Sequence, residues 1–226
     1  MNIRLENAEL LTRRTFQEVQ HAILQHNDFL DALQEDSDWA FVIKIHAFLE
    51  ALLTSLIRSH SGGFRLGDIA SRLPMNSSDG ISKLELVKAN QLLSPEQMRF
   101  IRRIGEIRNR LAHEVGMVDA FSIVDYVSEF DGNQIKNWRR DMTYFLLEDE
   151  NRFSSDIAVN DPKSAITEAL LDIICQIEGS RVLVDINSDM QDVAKEDTKQ
   201  LLDSLVEQQV IKVVESAHTF ELGGYS

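Results

Sequence analysis

Uninterrupted helical periodicity is the feature of this sequence that most limits its possible folds. The 226 residues include only three prolines and ten glycines, so few positions would break an α-helix. Apolar residues recur three and four positions apart over residues 5–34, 38–60 and 94–115. That spacing places them on one face of a helix. We therefore predict a mainly α-helical protein.

The C-terminal part of the chain has a different pattern. Short runs occur at 182–186, 210–216 and 218–222, after and between helical segments; the first two are rich in β-branched residues, and the third, HTFEL, contains Thr219 and Phe220. Such runs are typical of strands, and the order of helix, strand, helices and hairpin resembles a winged-helix domain. We predict a helical domain over residues 1–155 and a small α+β, winged-helix-like domain over residues 156–226.

The distribution of charge limits the polymers that this chain can bind. Residues 1–117 carry 14 Lys and Arg against 15 Asp and Glu, whereas residues 118–226 carry 9 against 22. An acidic surface repels a phosphate backbone. We therefore expect no DNA binding by the predicted winged helix, and we expect any RNA contact to come from the first half of the chain.

Several classes of protein lack support in the sequence. The single cysteine, Cys175, cannot form an internal disulfide, which is typical of a cytoplasmic protein. The apolar segment 39–57 contains Lys44, His46 and Glu50, so we interpret it as a buried helix and expect no membrane association. The chain has no phosphate-binding glycine motif and no zinc-ligand spacing, so we predict neither a cofactor nor a metal.

The helix predicted over residues 94–115 contains an arginine in an unusual position. On a helical wheel Arg108 falls within the apolar stripe, so it must extend to water, pair with an acid or meet a partner. Asn109 and His113 lie on the opposite face, one turn apart. Arg108 and His113 diverge by about 140° on an ideal helix. A second copy of the helix could bring the two groups together, but an ordinary helix end with ion pairs also fits this pattern.

Three segments around this helix resemble a known family. The segments are FVIKIHAFLEALLTSLI at 41–57, KLELVKANQLLSPEQMRFI at 83–101 and EIRNRLAHE at 106–114. Residues 108–113, RNRLAH, match the RNxxxH motif of the HEPN superfamily. In their order and content, the segments resemble the mannitol operon repressor family, which is itself HEPN-like. The resemblance covers about a third of the chain.

The resemblance implies an HEPN-like helical bundle that forms a homodimer through the motif helices. It also implies a metal-independent endoribonuclease, with RNA as substrate. Arg108 would bind the scissile phosphate, His113 would act as general acid or base, and Asn109 would orient the site. Such enzymes act as toxins or in phage defence, usually with a restraining protein partner or antitoxin.

Two alternatives remain open at the level of the sequence. Proteins of the mannitol operon repressor type regulate transcription through protein contacts, so a non-catalytic regulator is the second hypothesis. The motif could also serve only to hold a dimer interface together.

Four further side chains have both a functional and a structural interpretation. Glu50 could pair with Arg108 and support the site, or belong to a solvated stripe. Arg102, Arg103 and Arg110 could bind an RNA backbone, or form ordinary ion pairs on a helix surface.

Overall fold

The computed structural model describes residues 2–60, 64–77, 80–113, 118, 120–146 and 156–222. These residues form ten helices. In chain order they are α1 (Asn2–Leu24), α2 (Asn27–Glu35), α3 (Asp38–His60), α4 (Phe64–Arg72), α5 (Lys83–Ala89), α6 (Pro95–His113), α7 (Ile123–Ser128), α8 (Gly132–Met142), α9 (Ile157–Asn160) and α10 (Pro162–Leu222). The prediction of a mainly α-helical protein with a helical bundle is confirmed.

The chain divides into two compact units, Met1–Val182 and Leu183–Ser226. No strand occurs in the described residues of either unit. The winged-helix-like prediction is therefore not supported, and the strands predicted at 182–186, 210–216 and 218–222 are wrong, because all three segments belong to α10. β-branched residues lower helix propensity only slightly, and no proline or glycine interrupts residues 180–222. The boundary predicted between residues 155 and 156 adjoins residues outside the description and stays a prediction.

The core of the first unit is built around α3. Eight side chains of this helix are buried, from Phe41 to Ile57, and the helix packs against α4, α5 and α6. By length and composition α3 is the one helix of the described residues that could cross a membrane, and 44% of its most apolar window is buried inside the protein. A buried core helix can have the same length and composition, and α3 packs as a core helix does.

α6 begins where the sequence predicts. The Gln97 backbone N–H donates to Ser94 Oγ at 3.1 Å, and the Ser94 N–H donates to Gln97 Oε1 at 3.0 Å. This reciprocal capping box satisfies two N–H groups that would otherwise lack partners. The buried face of α6 includes Ile101, Ile104, Ile107 and Leu111. The end predicted at Gly116 lies outside the described residues.

Candidate functional site

A cleft of about 260 Å³ lies between α3, α6 and the segment that follows α4. We call it the α3–α6 cleft. Its lining combines two basic side chains, two acids, an imidazole, two amides and a few small or apolar residues. They are His46, Glu50, Pro74, Met75, Asn76, Ile101, Arg102, Gly105, Glu106, Arg108 and Asn109.

Gly105 keeps the α6 wall of this cleft open. A Cβ atom built at this position would meet no heavy atom within 4 Å. Glycine in the middle of a helix costs roughly 0.5–1 kcal/mol relative to alanine, so it reduces the stability of α6. One turn earlier Ile101 is fully buried and anchors the same wall to the core. No pattern in the sequence indicated Gly105 as part of the site.

Arg108 is the basic residue near the C-terminal end of α6 that lines this cleft. Its Nη1 donates to the Asn109 side-chain oxygen at 3.2 Å, and it forms no ion pair with an acid in the described part of the chain. A guanidinium has five N–H donors in a rigid fork, so one such bond leaves most of its capacity unused. Arg108 and Asn109 together therefore offer the cleft a charged donor group held by a neighbouring amide.

Glu50 pairs with a lysine rather than with Arg108. Lys83 at the start of α5 is 1% exposed, and its Nζ donates to Glu50 Oε1 at 2.6 Å and to the Leu73 carbonyl at 2.7 Å. A buried ammonium must be paired and hydrogen-bonded, so it takes the nearest carboxylate. The pairing of Glu50 with Arg108 considered from the sequence is therefore not what the structure has, although both side chains line the same cleft.

His46 is a further cleft residue that was not predicted as a site residue from the sequence. Burial lowers the pKa of this imidazole below its ordinary value near 6.5, and the positive charges of Arg108 and Lys83 lower the pKa further. The carboxylate of Glu50, one turn away on α3, acts in the opposite direction. His46 is thus a neutral imidazole at neutral pH, facing a guanidinium. Its one signal in the sequence is its four-residue spacing from Glu50.

His113 lies elsewhere on the same helix. It is the last residue of α6, its side chain is exposed, and it is not among the residues that line the α3–α6 cleft. This placement agrees with the divergence of about 140° expected for Arg108 and His113. One chain therefore brings Arg108 and Asn109 together with His46, and not with His113, although the helical wheel places Asn109 on the face opposite Arg108.

The three arginines predicted to bind RNA differ in their surroundings. Arg102 lines the cleft, is exposed, and has no ion pair within the described residues. Arg103 pairs with Glu106 at 2.7 Å and with Asp141 at 3.3 Å. The third arginine, Arg110, lies 3.7 Å from the Glu129 carboxylate and 5.1 Å from the centre of the Tyr126 ring. Arg102 is thus the member of the set that the cleft itself presents.

Within the described residues, no group of three or more His, Cys, Asp and Glu side chains could hold a metal ion. Comparison of the chain with protein-family models, with curated proteins and with solved structures finds no match.

Proposed function

We propose that this protein is a metal-independent endoribonuclease that acts as a homodimer, with the α3–α6 cleft binding the scissile phosphodiester. The observation that carries the proposal is the Arg108 guanidinium, which is held by Asn109, has no acidic partner in the described residues and shares a cleft with a neutral imidazole. A guanidinium fork matches the geometry of a phosphate and stabilises the negative charge that develops on it.

RNA contains its own nucleophile, so the protein needs to move only protons. The 2′-oxygen attacks phosphorus, the bond from phosphorus to the 5′-oxygen breaks, and the products are a 2′,3′-cyclic phosphate and a 5′-hydroxyl. A base must accept the 2′-hydroxyl proton, and an acid must protonate the departing 5′-oxygen. A site for this reaction therefore requires two proton-transfer groups beside a phosphate-binding group.

Two histidines supply these groups in the proposal. His46 takes the 2′-hydroxyl proton, because an imidazole with a lowered pKa is neutral and can accept one. His113 of the second copy donates the proton to the 5′-oxygen. Glu50 supports His46, since its negative charge limits the fall of the imidazole pKa. The dimer is needed because His113 points away from the cleft of its own chain.

The biological setting follows the resemblance. Toxins and phage-defence proteins of this type work in the cytoplasm under the control of a protein partner, and we propose the same for this chain. The alternative is a non-catalytic regulator that resembles the mannitol operon repressor and works through protein contacts.

RNA cleavage in the presence of EDTA tests the proposal. The wild-type protein is compared with Arg108→Ala, His113→Ala and His46→Gln, after circular dichroism and mass have shown the same fold and the same oligomer. Each variant should lose roughly 100-fold or more in rate. His21→Gln, at an exposed histidine of α1, is the matched control and should cleave as the wild type does.

A substrate with sulfur in place of the bridging 5′-oxygen separates the roles of the two histidines. A thiolate leaves without being protonated, so this substrate should restore the rate of His113→Ala and leave His46→Gln slow. The reverse pattern would exchange the two roles. Absence of cleavage by the wild type over a broad set of RNAs would count against the enzyme and favour the regulator.

A further inference from the structure

We infer that the α3–α6 cleft is one end of a longer groove for single-stranded RNA, which continues over α6 through two further basic clefts. The choice of RNA as ligand rests on the proposed function. The course of the groove rests on the arginines that neighbouring clefts share.

The first extension is a cleft of about 520 Å³ beside the N-terminal half of α6. We call it the middle cleft. Its lining includes Lys88, Arg99 and Arg102, and the last of these also lines the α3–α6 cleft. Since a single side chain borders both spaces, the α3–α6 cleft and the middle cleft adjoin each other at Arg102.

The second extension is a cleft of about 450 Å³ between α6 and α8. We call it the outer cleft. Arg99 borders both the middle and the outer cleft. The outer cleft adds Lys136, Arg139 and Arg140 from α8. The three spaces therefore follow one another around α6, joined first by Arg102 and then by Arg99.

The charges along the two extensions are mostly positive. Lys88, Arg102 and Lys136 are exposed and form no ion pair within the described residues. The remaining arginines are partly neutralised. Arg99 pairs with Glu96 at 3.1 Å, Arg140 contacts the buried Asp141 at 2.9 Å and Arg99 lies 3.4 Å from it, and Arg139 pairs with Asp156 at 3.0 Å.

Glu96 is the one acid that lines either extension in the described part of the chain. A strip with six basic side chains, in a chain of net charge −14, is a marked local concentration of positive charge.

The dimensions and the lining of the groove fit a polynucleotide. Arg99 and Arg108 are nine residues apart on α6, which is about 13 Å along the helix axis and about half a turn around it. That length exceeds one nucleotide unit and suits a ligand with regularly repeated negative charge. Leu93, Pro95 and Met98 line the middle cleft, and Tyr144 lines the outer one. Apolar and aromatic surfaces of this kind contact unpaired bases, which an acidic peptide does not have.

Binding of non-cleavable 2′-O-methyl oligonucleotides tests the groove separately from catalysis. The full-length protein is titrated with single strands of about four and about twelve nucleotides, the range of site sizes found for single-strand binding proteins. The wild type should bind the longer strand more tightly. Lys88→Gln and Lys136→Gln should each weaken binding of the longer strand by roughly three- to tenfold and leave the shorter strand unchanged.

The salt dependence provides a second readout. Each lysine that is lost should reduce the slope of log affinity against log salt concentration by about 0.7, the value for one phosphate contact of a single strand. Lys44→Gln is the matched control. Lys44 is exposed, pairs with Asp36 at 2.7 Å, borders none of the three clefts and loses the same charge.

The inference is overturned if the longer strand binds no better than the shorter one, or if both lysine variants behave like Lys44→Gln. A polyglutamate peptide that competes as well as RNA of equal charge overturns the assignment to RNA. If binding depends on length but the wild type cleaves no RNA, the groove is supported and the proposed endoribonuclease activity is contradicted. If neither strand binds, both the groove and the proposed endoribonuclease activity are contradicted.

Discussion

A single imidazole, that of His46, carries the pH dependence that we expect of the α3–α6 cleft. Burial and two nearby cations lower its pKa, and one carboxylate opposes them. The same histidine on an open helix surface would have none of these neighbours. At the scale of the residue, the chemistry of the cleft is therefore decided by the burial of the His46 side chain and by the charges around it, two of which come from other helices.

His46 should make the folded state less stable as the pH falls. Its pKa is lower in the folded protein than in the unfolded chain, so the unfolded chain binds more protons once the pH drops through about 6.5. The stability that neutral His46 contributes is present above that pH and is lost below it. Urea unfolding at pH 7.5 and pH 5.5 should show a smaller loss for His46→Gln than for the wild type, and equal losses would contradict this account.

Gly105 should lower the stability of α6 and keep the α3–α6 cleft open. Gly105→Ala should raise the free energy of unfolding by roughly 0.5–1 kcal/mol, because alanine loses less backbone entropy in a helix and its Cβ meets nothing within 4 Å. The added methyl group projects into the cleft, so RNA cleavage should fall. Thermal unfolding and the cleavage assay measure the two effects.

Gly179→Ala is the control for this change. Gly179 is also helical, a Cβ there would also meet nothing within 4 Å, and it does not line the cleft. It should give a similar gain in stability with unchanged cleavage. Equal activity of both variants would show that Gly105 has no role in the site.

At the scale of the element, a buried carboxylate holds α6 and α8 together. Asp141 of α8 is 4% exposed and lies within 3.4 Å of guanidinium nitrogens from Arg99, Arg103 and Arg140. Two of these arginines come from α6. The wall shared by the middle and outer clefts therefore depends on one acid that neutralises several cations.

Asp141→Asn should lower the free energy of unfolding by about 2 kcal/mol, since charge-assisted hydrogen bonds are lost. Arg140 then has no acidic partner in the described residues, and Arg99 and Arg103 keep only Glu96 and Glu106. Solvent screens the charges of Arg99 and Arg140, whose side chains are 32% and 53% exposed, and this limits the loss. Asp156→Asn removes an exposed pair with Arg139 and should cost less than about 1 kcal/mol. Chemical denaturation measures both variants. Equal losses of unfolding free energy would contradict the role of Asp141 in holding α6 and α8 together.

At the scale of the whole molecule, the proposed enzyme needs two chains for each site. Arg108 and His113 diverge on α6, and the cleft that contains Arg108 does not contain His113. In a symmetric dimer, His113 of one chain can meet the cleft that contains Arg108 of the other chain. RNA cleavage should therefore require the dimer, whereas a site within one chain would not.

Mixing two inactive variants tests this arrangement. Arg108→Ala and His113→Ala should each be inactive alone. After they are unfolded and refolded together, half of the dimers combine the two chains and keep one intact site of two, so about a quarter of the wild-type activity should return. Native mass spectrometry confirms that mixed dimers form. Mixed dimers without activity would rule out a site shared in this way.

The sequence by itself determined those features that depend on neighbours within a few residues. The start of α6 at Ser94 and Gln97 and the helical character of the first unit depend on contacts three or four positions apart. Helix periodicity and capping act over that range and leave a readable pattern. The strand predicted at 210–216 from its β-branched residues is wrong, because this segment belongs to the uninterrupted helix α10.

Only the tertiary structure decided what surrounds Arg108. Glu50 and Lys83 are 33 positions apart in sequence, yet they form the ion pair that removes Glu50 as a partner for Arg108. His46 faces Arg108 because α3 packs against α6, and nothing within four residues of either side chain indicates it. The physical reason is that burial and through-space charge depend on which helices pack together, and that choice minimises the free energy of the whole core rather than of any one segment.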